Sequence, residues 1–524
     1  MGDRAPEGGS TPPVLGPAPA VQPAPAVVLD EADWVEEAEA PDDEDEGPSL
    51  RNALRLLVKG GTGKAGVALF AGMVVLSVWV LVTYPVDFGT ARWSNPAVWA
   101  DNPKNAAPAW TARFGGGRQV EQTRLALTSP TETRTIPAGE VRTYRFAIPF
   151  DYDRTPTALS LTIDGVTFNQ RPPAILVTLI RPDATEVRLT SVPVRGPRPG
   201  ETAPFRRYYD SPERLLLSQE PTAAQSLAGV YGQRYPGLAI PSNLAGELAG
   251  GLFGRPADDG SGRIVPLKGD YAVQVQAIVA DPRDEVAGLG VVLGGTVFGL
   301  MGTDGLGRDL WQGLLYGFPV GLLIATLTAV LSTVIGAGLG ILSGYVGGAT
   351  DTIIQRASDI ISNVPVLPLL IFLVSVLGRH LWLIMLILVL FSWPGLTILV
   401  RSMVLQIRSG QLVEAARALG ASRRRIMFRH IFPQTAPFIV AQMIFFAPGA
   451  ILAEASLSFI GLGDPSIPTW GQMLEAGFRT GALYVGYWWW VLPPGILIVI
   501  TALAFMLLAL AMEPVVDPRL RSRQ

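Results

Sequence analysis

QLVEAARALGASRRRIMFRHIFP, residues 411 to 433, is a basic segment lying between two long apolar runs. Its first part, Leu412 to Leu419, consists of good helix formers and sets two small residues, Ala415 and Ala416, beside the lone acid Glu414. Gly420 interrupts the helical pattern, and Ser422 stands where a side-chain oxygen would cap a second helix that starts with Arg423, Arg424 and Arg425. The stretch therefore reads as helix, bend, helix. Between Arg401 and Pro433, seven arginines (401, 408, 417, 423, 424, 425 and 429) face the single acid Glu414, a bias that places the loop on the cytoplasmic side of a membrane.

The composition fits that position. A chain of 524 residues that is 49% hydrophobic and only 16% charged, with mean hydropathy +0.33, is too apolar for an ordinary soluble protein. The net charge of −3 hides an asymmetry, because eleven acids fall between Asp30 and Glu46 while the arginines gather in the loops. The absence of cysteine excludes disulfides, thiolate metal sites and cysteine catalysis, and two histidines, His380 and His430, argue against an imidazole metal centre. No basic footprint for nucleic acid is present, so the expectation is a chain with no nucleic-acid partner and no cofactor or metal.

Six apolar runs approach span length: Ala65 to Tyr84, Phe318 to Leu342, Ile360 to Gly378, Leu381 to Val400, Thr435 to Ile460 and Trp488 to Met512. Arg51, Arg55, Lys59 and Lys64 precede the first, which sets the N-terminus inside, and an even count returns the tail bearing Arg519, Arg521 and Arg523 to the same side. The expected fold is an α-helical membrane protein of six transmembrane helices with a large extracytoplasmic β-rich insert between the first and second. Its parts are a disordered acidic cytoplasmic tail over 1–50, the first transmembrane helix within 51–84, the β-rich domain over 85–301, a five-helix core over 302–512 and a cytoplasmic tail over 513–524. GGTGKAG at Gly60 to Gly66 is no phosphate-binding loop, since Val58 stands where its first glycine belongs and Ala65 where Ser or Thr should follow Lys64.

Within the insert, Val141 to Phe150, Ala158 to Ile163, Ala174 to Ile180, Thr185 to Val192 and Tyr271 to Ala280 alternate as strands, suggesting an antiparallel sandwich or partial barrel. Short helical pieces are expected over Ser218 to Gly229 and Asn243 to Leu252. Val286 to Met301, apolar, short and rich in glycine, reads as a packed re-entry into the membrane domain. No catalytic constellation is visible. Asp304, Arg308 and Asp309 suit helix capping and ion pairing as well as substrate contact. Asp351, Arg356 and Asp359 lie at ion-pairing spacings. Glu454, an acid inside an apolar run, is either a candidate for a translocation path or a pairing group near the outer end of its span. Trp488, Trp489 and Trp490 read as interface anchors.

Glu414-Ala415-Ala416, then Gly420 after three intervening residues, and His430-Ile431-Phe432-Pro433 after nine more resemble the EAA loop of permease subunits of ATP-binding-cassette importers. That family's pattern ends in Ile-x-Leu-Pro, so His430 and Phe432 depart from it. GTDGLGRDLWQGLLYG, residues 302 to 317, resembles the segment that opens the core of dipeptide and oligopeptide permeases, and ILAEASLSF around Glu454 resembles another of their signatures. The resemblance runs closely from Gly302 to Arg523 and loosely over the first span, leaving out the acidic tail and the insert. It implies a permease subunit for di- or oligopeptides that holds no catalytic residue, with 401–433 as a cytoplasmic coupling loop. Glu414, Ala415, Ala416, Gly420, Arg423, Ile431 and Pro433 would engage an ATPase subunit. The implied partners are two such ATPases, a second permease forming a heterodimer, an extracytoplasmic substrate-binding protein meeting the loop from Gly461 to Tyr487, and the lipid bilayer of a prokaryotic inner membrane. The remaining alternatives are an importer of nickel or oligosaccharide, an Arg-rich lipid-facing amphipathic helix in place of the coupling loop, and a membrane-anchored β-domain acting as sensor or adhesin.

Overall fold

The computed structural model describes residues 60–137 and 139–512. The expectations for the acidic tail 1–50, for Arg51, Arg55 and Lys59, and for the tail 513–524 with Arg519, Arg521 and Arg523 lie outside those residues.

The first helix, α1 (Gly61–Thr83), is apolar all round, as a lipid-embedded rod must be. One side packs on the last helix, where a Cβ at Gly66 would lie 2.9 Å from the Leu508 amide nitrogen, so only glycine permits that approach. The other side leaves Val75, Val78 and Val82 exposed, a surface suited to hydrocarbon rather than water.

Twelve strands follow among the described residues. Sheet one has the order β1 (Thr123–Leu127), β12 (Glu285–Gly294), β4 (Ala158–Phe168) and β7 (Phe205–Arg207), with β8 (Glu213–Leu215) also on β4. Sheet two runs β2 (Glu132–Ile136), β3 (Gly139–Phe150), β11 (Gly269–Val279), β5 (Ala174–Ile180) and β6 (Glu186–Pro193), and β9 (Gly254–Pro256) pairs with β10 (Ile264–Pro266) apart from both. All the ladders are antiparallel. Period-two alternation turns Tyr144, Phe146, Ile148 and Phe150 inward from β3, and these meet Leu159, Leu161 and Ile163 of β4 in a single core shared by both sheets. Two short helices, α2 (Pro221–Arg234) and α3 (Leu248–Leu252), close that core with Leu227, Tyr231 and Leu252.

The expected membrane re-entry at Val286 to Met301 is instead the central strand β12 and the turn after it. Val286, Leu289, Val291 and Leu293 are buried between β1 and β4. A strand buried on both faces loses its polar alternation and reads like a short membrane run, and a Cβ at Gly294 would lie 2.8 Å from Thr157 Oγ1 and 3.0 Å from the Ala158 nitrogen of the neighbouring strand.

A knot of hydrogen bonds joins the strands to the bundle. The Ala106 N–H donates to Thr303 Oγ1 at 2.9 Å, that hydroxyl donates to the Pro103 carbonyl at 2.7 Å, and Asn105 N–H reaches the Asp304 carbonyl at 2.9 Å. Asp304 is buried and ion-paired with Arg308, while Asp309 caps the next helix through the Trp311 N–H, so these three residues serve as pairing and capping groups.

That helix, α4 (Leu310–Val346), has 37 residues and is about 55 Å long, well beyond the thickness of a bilayer core. It lies along α7 (Leu381–Arg408), and Gly336, Gly340 and Gly344 form the seam. A Cβ would sit 2.9 Å from the Trp393 carbonyl at the first, 2.8 Å from the Thr397 carbonyl at the second and 2.8 Å from Val404 Cβ at the third. Glycine at every fourth position lets the two backbones touch, and the Thr397 hydroxyl donates across the seam to the Gly336 carbonyl at 3.0 Å.

Between α4 and α7 lie α5 (Gly348–Asn363) and α6 (Val366–Leu377), bent by 80° to one another. The expected straight span over Ile360 to Gly378 is therefore broken. Val364, which precedes Pro365, is held in an extended conformation, and α6 alone is only about 18 Å long. Among the described residues, five helices are long and apolar enough to cross a membrane, or six if this bent pair counts as one.

The chain then turns through α8 (Gln411–Ala418) and α9 (Arg423–Ile426), continues past a wide turn at Met427–Ile431 into α10 (Phe432–Phe459), and returns by α11 (Trp470–Arg479) to α12 (Trp488–Ala511). Of the three tryptophans expected as interface anchors, Trp489 and Trp490 are buried in the protein instead, Trp489 Nε1 donating to the Thr303 carbonyl at 3.4 Å. Packing between the knot and α12 takes them away from the lipid.

Candidate functional site

The segment from Gln411 to Ile431 occupies one end of the bundle, and its local chemistry fixes its shape. Helix α8 ends in a Schellman turn: Gly420 N–H donates to the Arg417 carbonyl and Ala421 N–H to the Ala416 carbonyl, each at 3.0 Å. That turn requires a left-handed residue, and Gly420 supplies it with φ of +79°. Ser422 then accepts from the Arg425 N–H at 3.4 Å and starts α9.

The two faces of this hairpin differ. Val413, Ala416, Ile426 and Ile431 are buried in a cluster with Tyr345 of α4 and with Val400 and Val404 of α7. Glu414, Ala415, Gly420, Arg423 and Pro433 are exposed. The seven residues singled out in the sequence thus divide: Ala416 and Ile431 are buried against the bundle, and the other five are exposed. On the exposed face the structure adds Leu419, 88% exposed, and Phe428, 73% exposed, apolar side chains that water does not favour. Their signal in the sequence is that they fall outside the inward register of Val413 and Ala416.

The base of the hairpin is braced by charge. Asp351 of α5 takes two hydrogen bonds from Arg401 of α7 and one from Ser343 of α4, drawing three helices together. Of the three residues read from their spacing as ion-pairing, Arg356 lies 3.9 Å from Asp359, while Asp351 takes its partner from another helix.

At the opposite end of the bundle a cleft of about 610 Å³ is lined by Trp93, Trp99, Arg308, Arg379 and Ser458 among others. The Arg308 guanidinium lies 4.3 Å from the centre of the Trp93 ring, and Arg379 donates to the Gly461 carbonyl at 3.2 Å. Glu454 stands behind this wall. It is 5% exposed, accepts a hydrogen bond from Ser458 Oγ at 2.7 Å, and lies among Gly317, Thr469 and Trp470.

The sequence pattern of the family described as "Binding-protein-dependent transport system inner membrane component" matches residues 336–522, which hold the glycine seam, the hairpin and α10 to α12. The dipeptide transport system permease protein DppC of Bacillus subtilis is 35% identical over 221 residues, covering 42% of this chain and 68% of that protein. A protein named as a peptide transport system permease of Brucella suis is 41% identical over 224 residues, covering 42% of this chain and 74% of its own length. Among solved structures, a chain of the methionine ABC transporter MetNI in an inward-facing conformation aligns with 39% of this chain and 95% of its own, at 21% identity and a TM-score of 0.31. On the strength of the two permeases similar in sequence, the chain belongs to the inner-membrane permease family of binding-protein-dependent ABC importers, dipeptide and oligopeptide type.

Proposed function

We propose that this chain is the membrane-spanning subunit of an ATP-driven importer of di- or oligopeptides. In this reading it works beside a second permease, two ATPase subunits and an external substrate-binding protein. The observation that carries the reading is the two-faced hairpin, whose inner side is fused to the ends of α4 and α7 while its outer side offers Glu414, Ala415, Leu419 and Phe428 to a partner. A partner that moves this hairpin moves the bundle with it, because Ala416 and Ile431 are packed into the same core as Val400 and Val404.

Both ends of the chain and the hairpin then lie in the cytoplasm, and the strands lie outside. We assign the β-rich domain to receiving cargo or docking the binding protein. Glu454 enters as a translocation-path candidate reached through Ser458, which lines the outer cleft. ATP hydrolysis belongs to the partners. The named peptide permeases among the relatives support peptide cargo over nickel or oligosaccharide. An anchored sensor or adhesin has no use for such a hairpin.

The test is uptake by proteoliposomes holding the assembled transporter, offered a labelled dipeptide, nickel and an oligosaccharide in parallel. ATP-dependent accumulation of the dipeptide alone is the expected result. Accumulation of another cargo refutes the peptide assignment, and uptake unaffected by deleting the β-rich domain refutes the role given to it.

A further inference from the structure

Where the hairpin meets the ends of α4 and α7, Arg408, Arg417 and Arg423 line one cleft of about 410 Å³ together with Tyr345, Val346 and Ala421. Arg408 is fixed from behind, its Nη1 donating to the Gly344 and Tyr345 carbonyls at 3.3 and 3.4 Å, the unpaired end of α4. Arg417 comes from the last turn of α8 and Arg423 opens α9, so both arms of the hairpin reach the same cavity. Among the described residues none of the three arginines forms an ion pair, whereas Arg401, seven positions before Arg408, is already matched by Asp351.

Three arginines lining one cavity concentrate positive charge there, which an anion entering it would offset. A carboxylate has two oxygens in one plane and satisfies one guanidinium fork well. A phosphate presents oxygens in tetrahedral directions and can accept from forks arriving from three sides. We propose that this cleft binds a phosphate group, carried by an anionic phospholipid headgroup or by a soluble phosphate, and that the bound phosphate clamps the hairpin to α4 and α7. The clamp would make the stiffness of the hairpin depend on its ligand, whatever cargo the protein moves.

The test uses the full chain purified in mild detergent. Native mass spectrometry measures retention of phosphatidylglycerol against phosphatidylcholine, and melting is compared in inorganic phosphate and chloride at matched ionic strength. Three proteins are compared: wild type, R417Q/R423Q, and R424Q, which alters an exposed arginine of the same loop outside the cleft. The double variant is expected to lose about tenfold or more in affinity, the value of one charge-assisted hydrogen bond, while R424Q matches wild type. If the double variant does not fold, R417Q alone, altered at an exposed side chain, makes the same comparison. Selective phosphatidylglycerol retention that the variant loses supports a lipid source, and a melting gain in inorganic phosphate that the variant loses supports a soluble one. Equal behaviour of wild type and variant in both arms overturns the proposal, as does an equal loss in R424Q. Capture of an ATPase carboxylate in the cleft of the assembled transporter, with no phosphate retained, also overturns it.

Discussion

Arg401 holds Asp351 by two hydrogen bonds of 2.6 Å, Nε to Oδ1 and Nη2 to Oδ2, across the gap between α7 and α5. Both side chains are mostly shielded, and the pair stands at the base of the hairpin, where α5 has no other ionic tie to α7 among the described residues. Removing one partner leaves the other charge uncompensated. R401A should therefore cost about 2 kcal/mol, less than a fully buried pair because both groups retain some contact with solvent. D351N/R401Q should cost clearly less than the sum of the single changes, since both then remove one interaction. Thermal unfolding in detergent measures both quantities, and strict additivity would show that the pair is not coupled.

The two alanines of the hairpin should behave oppositely. Ala416 is buried against Val400 and Val404, so A416L should cost about 1 to 3 kcal/mol through overpacking. Ala415 is exposed, so A415D should leave the melting temperature within about 1 °C of wild type, as an exposed change does. In the assembled transporter A415D should nevertheless abolish ATP-dependent uptake. Differential scanning fluorimetry paired with uptake separates the two roles, and destabilisation by A415D would contradict the division of faces.

Glu454 and Ser458 offer a second separation. E454Q keeps the shape and an acceptor for the Ser458 hydroxyl, and its stability should stay within about 1 kcal/mol of wild type. E454A removes that acceptor, leaves a void beside Trp470, and should cost about 2 to 4 kcal/mol. If Glu454 serves the path, E454Q lowers uptake at unchanged stability. Wild-type uptake in E454Q confines the residue to packing.

The β-rich domain should show an alkaline limit. Burial pushes the Tyr231 hydroxyl up to about 12 from an ordinary 10.0, and that hydroxyl donates to the Gly251 and Gly254 carbonyls. A raised value means the folded state holds the proton more tightly than the unfolded chain. The stabilisation is therefore complete below pH 10.0 and fades as pH rises towards about 12. Hydrogen exchange of α2 and α3 followed across that window should show falling protection in wild type and a flatter profile in Y231F. Identical profiles would remove Tyr231 from the account.

What the sequence disclosed was mainly local. The hairpin was legible because a glycine able to adopt a left-handed turn and a serine able to cap lie two residues apart, and both act on their own neighbours. The inward register of Val413 and Ala416 is also written there, as an i, i+3 pair that sets Ala416 apart from its exposed neighbour Ala415. Other features were not local. Asp351 finds Arg401 fifty positions away, which spacing rules for one helix do not reach. The strand β12 imitates a membrane segment because both its faces are buried. Pro365 announced the bend between α5 and α6, but the hydropathy of Ile360 to Gly378 masked it. The glycine seam on α4 shows a plain period of four, and only the close approach of α7 reveals its use.

The most direct test of the account exploits the absence of cysteine from the chain. A single cysteine introduced as Ala415→Cys, treated in native membranes with a bifunctional crosslinker, reports what lies against the exposed face of the hairpin, and Gly420→Asp in the same background serves as the disrupted control. The account predicts capture of an ATP-binding subunit, reduced in the control. Recovery of no nucleotide-binding protein, under conditions where a cysteine on the β-rich domain does capture its partner, would contradict it.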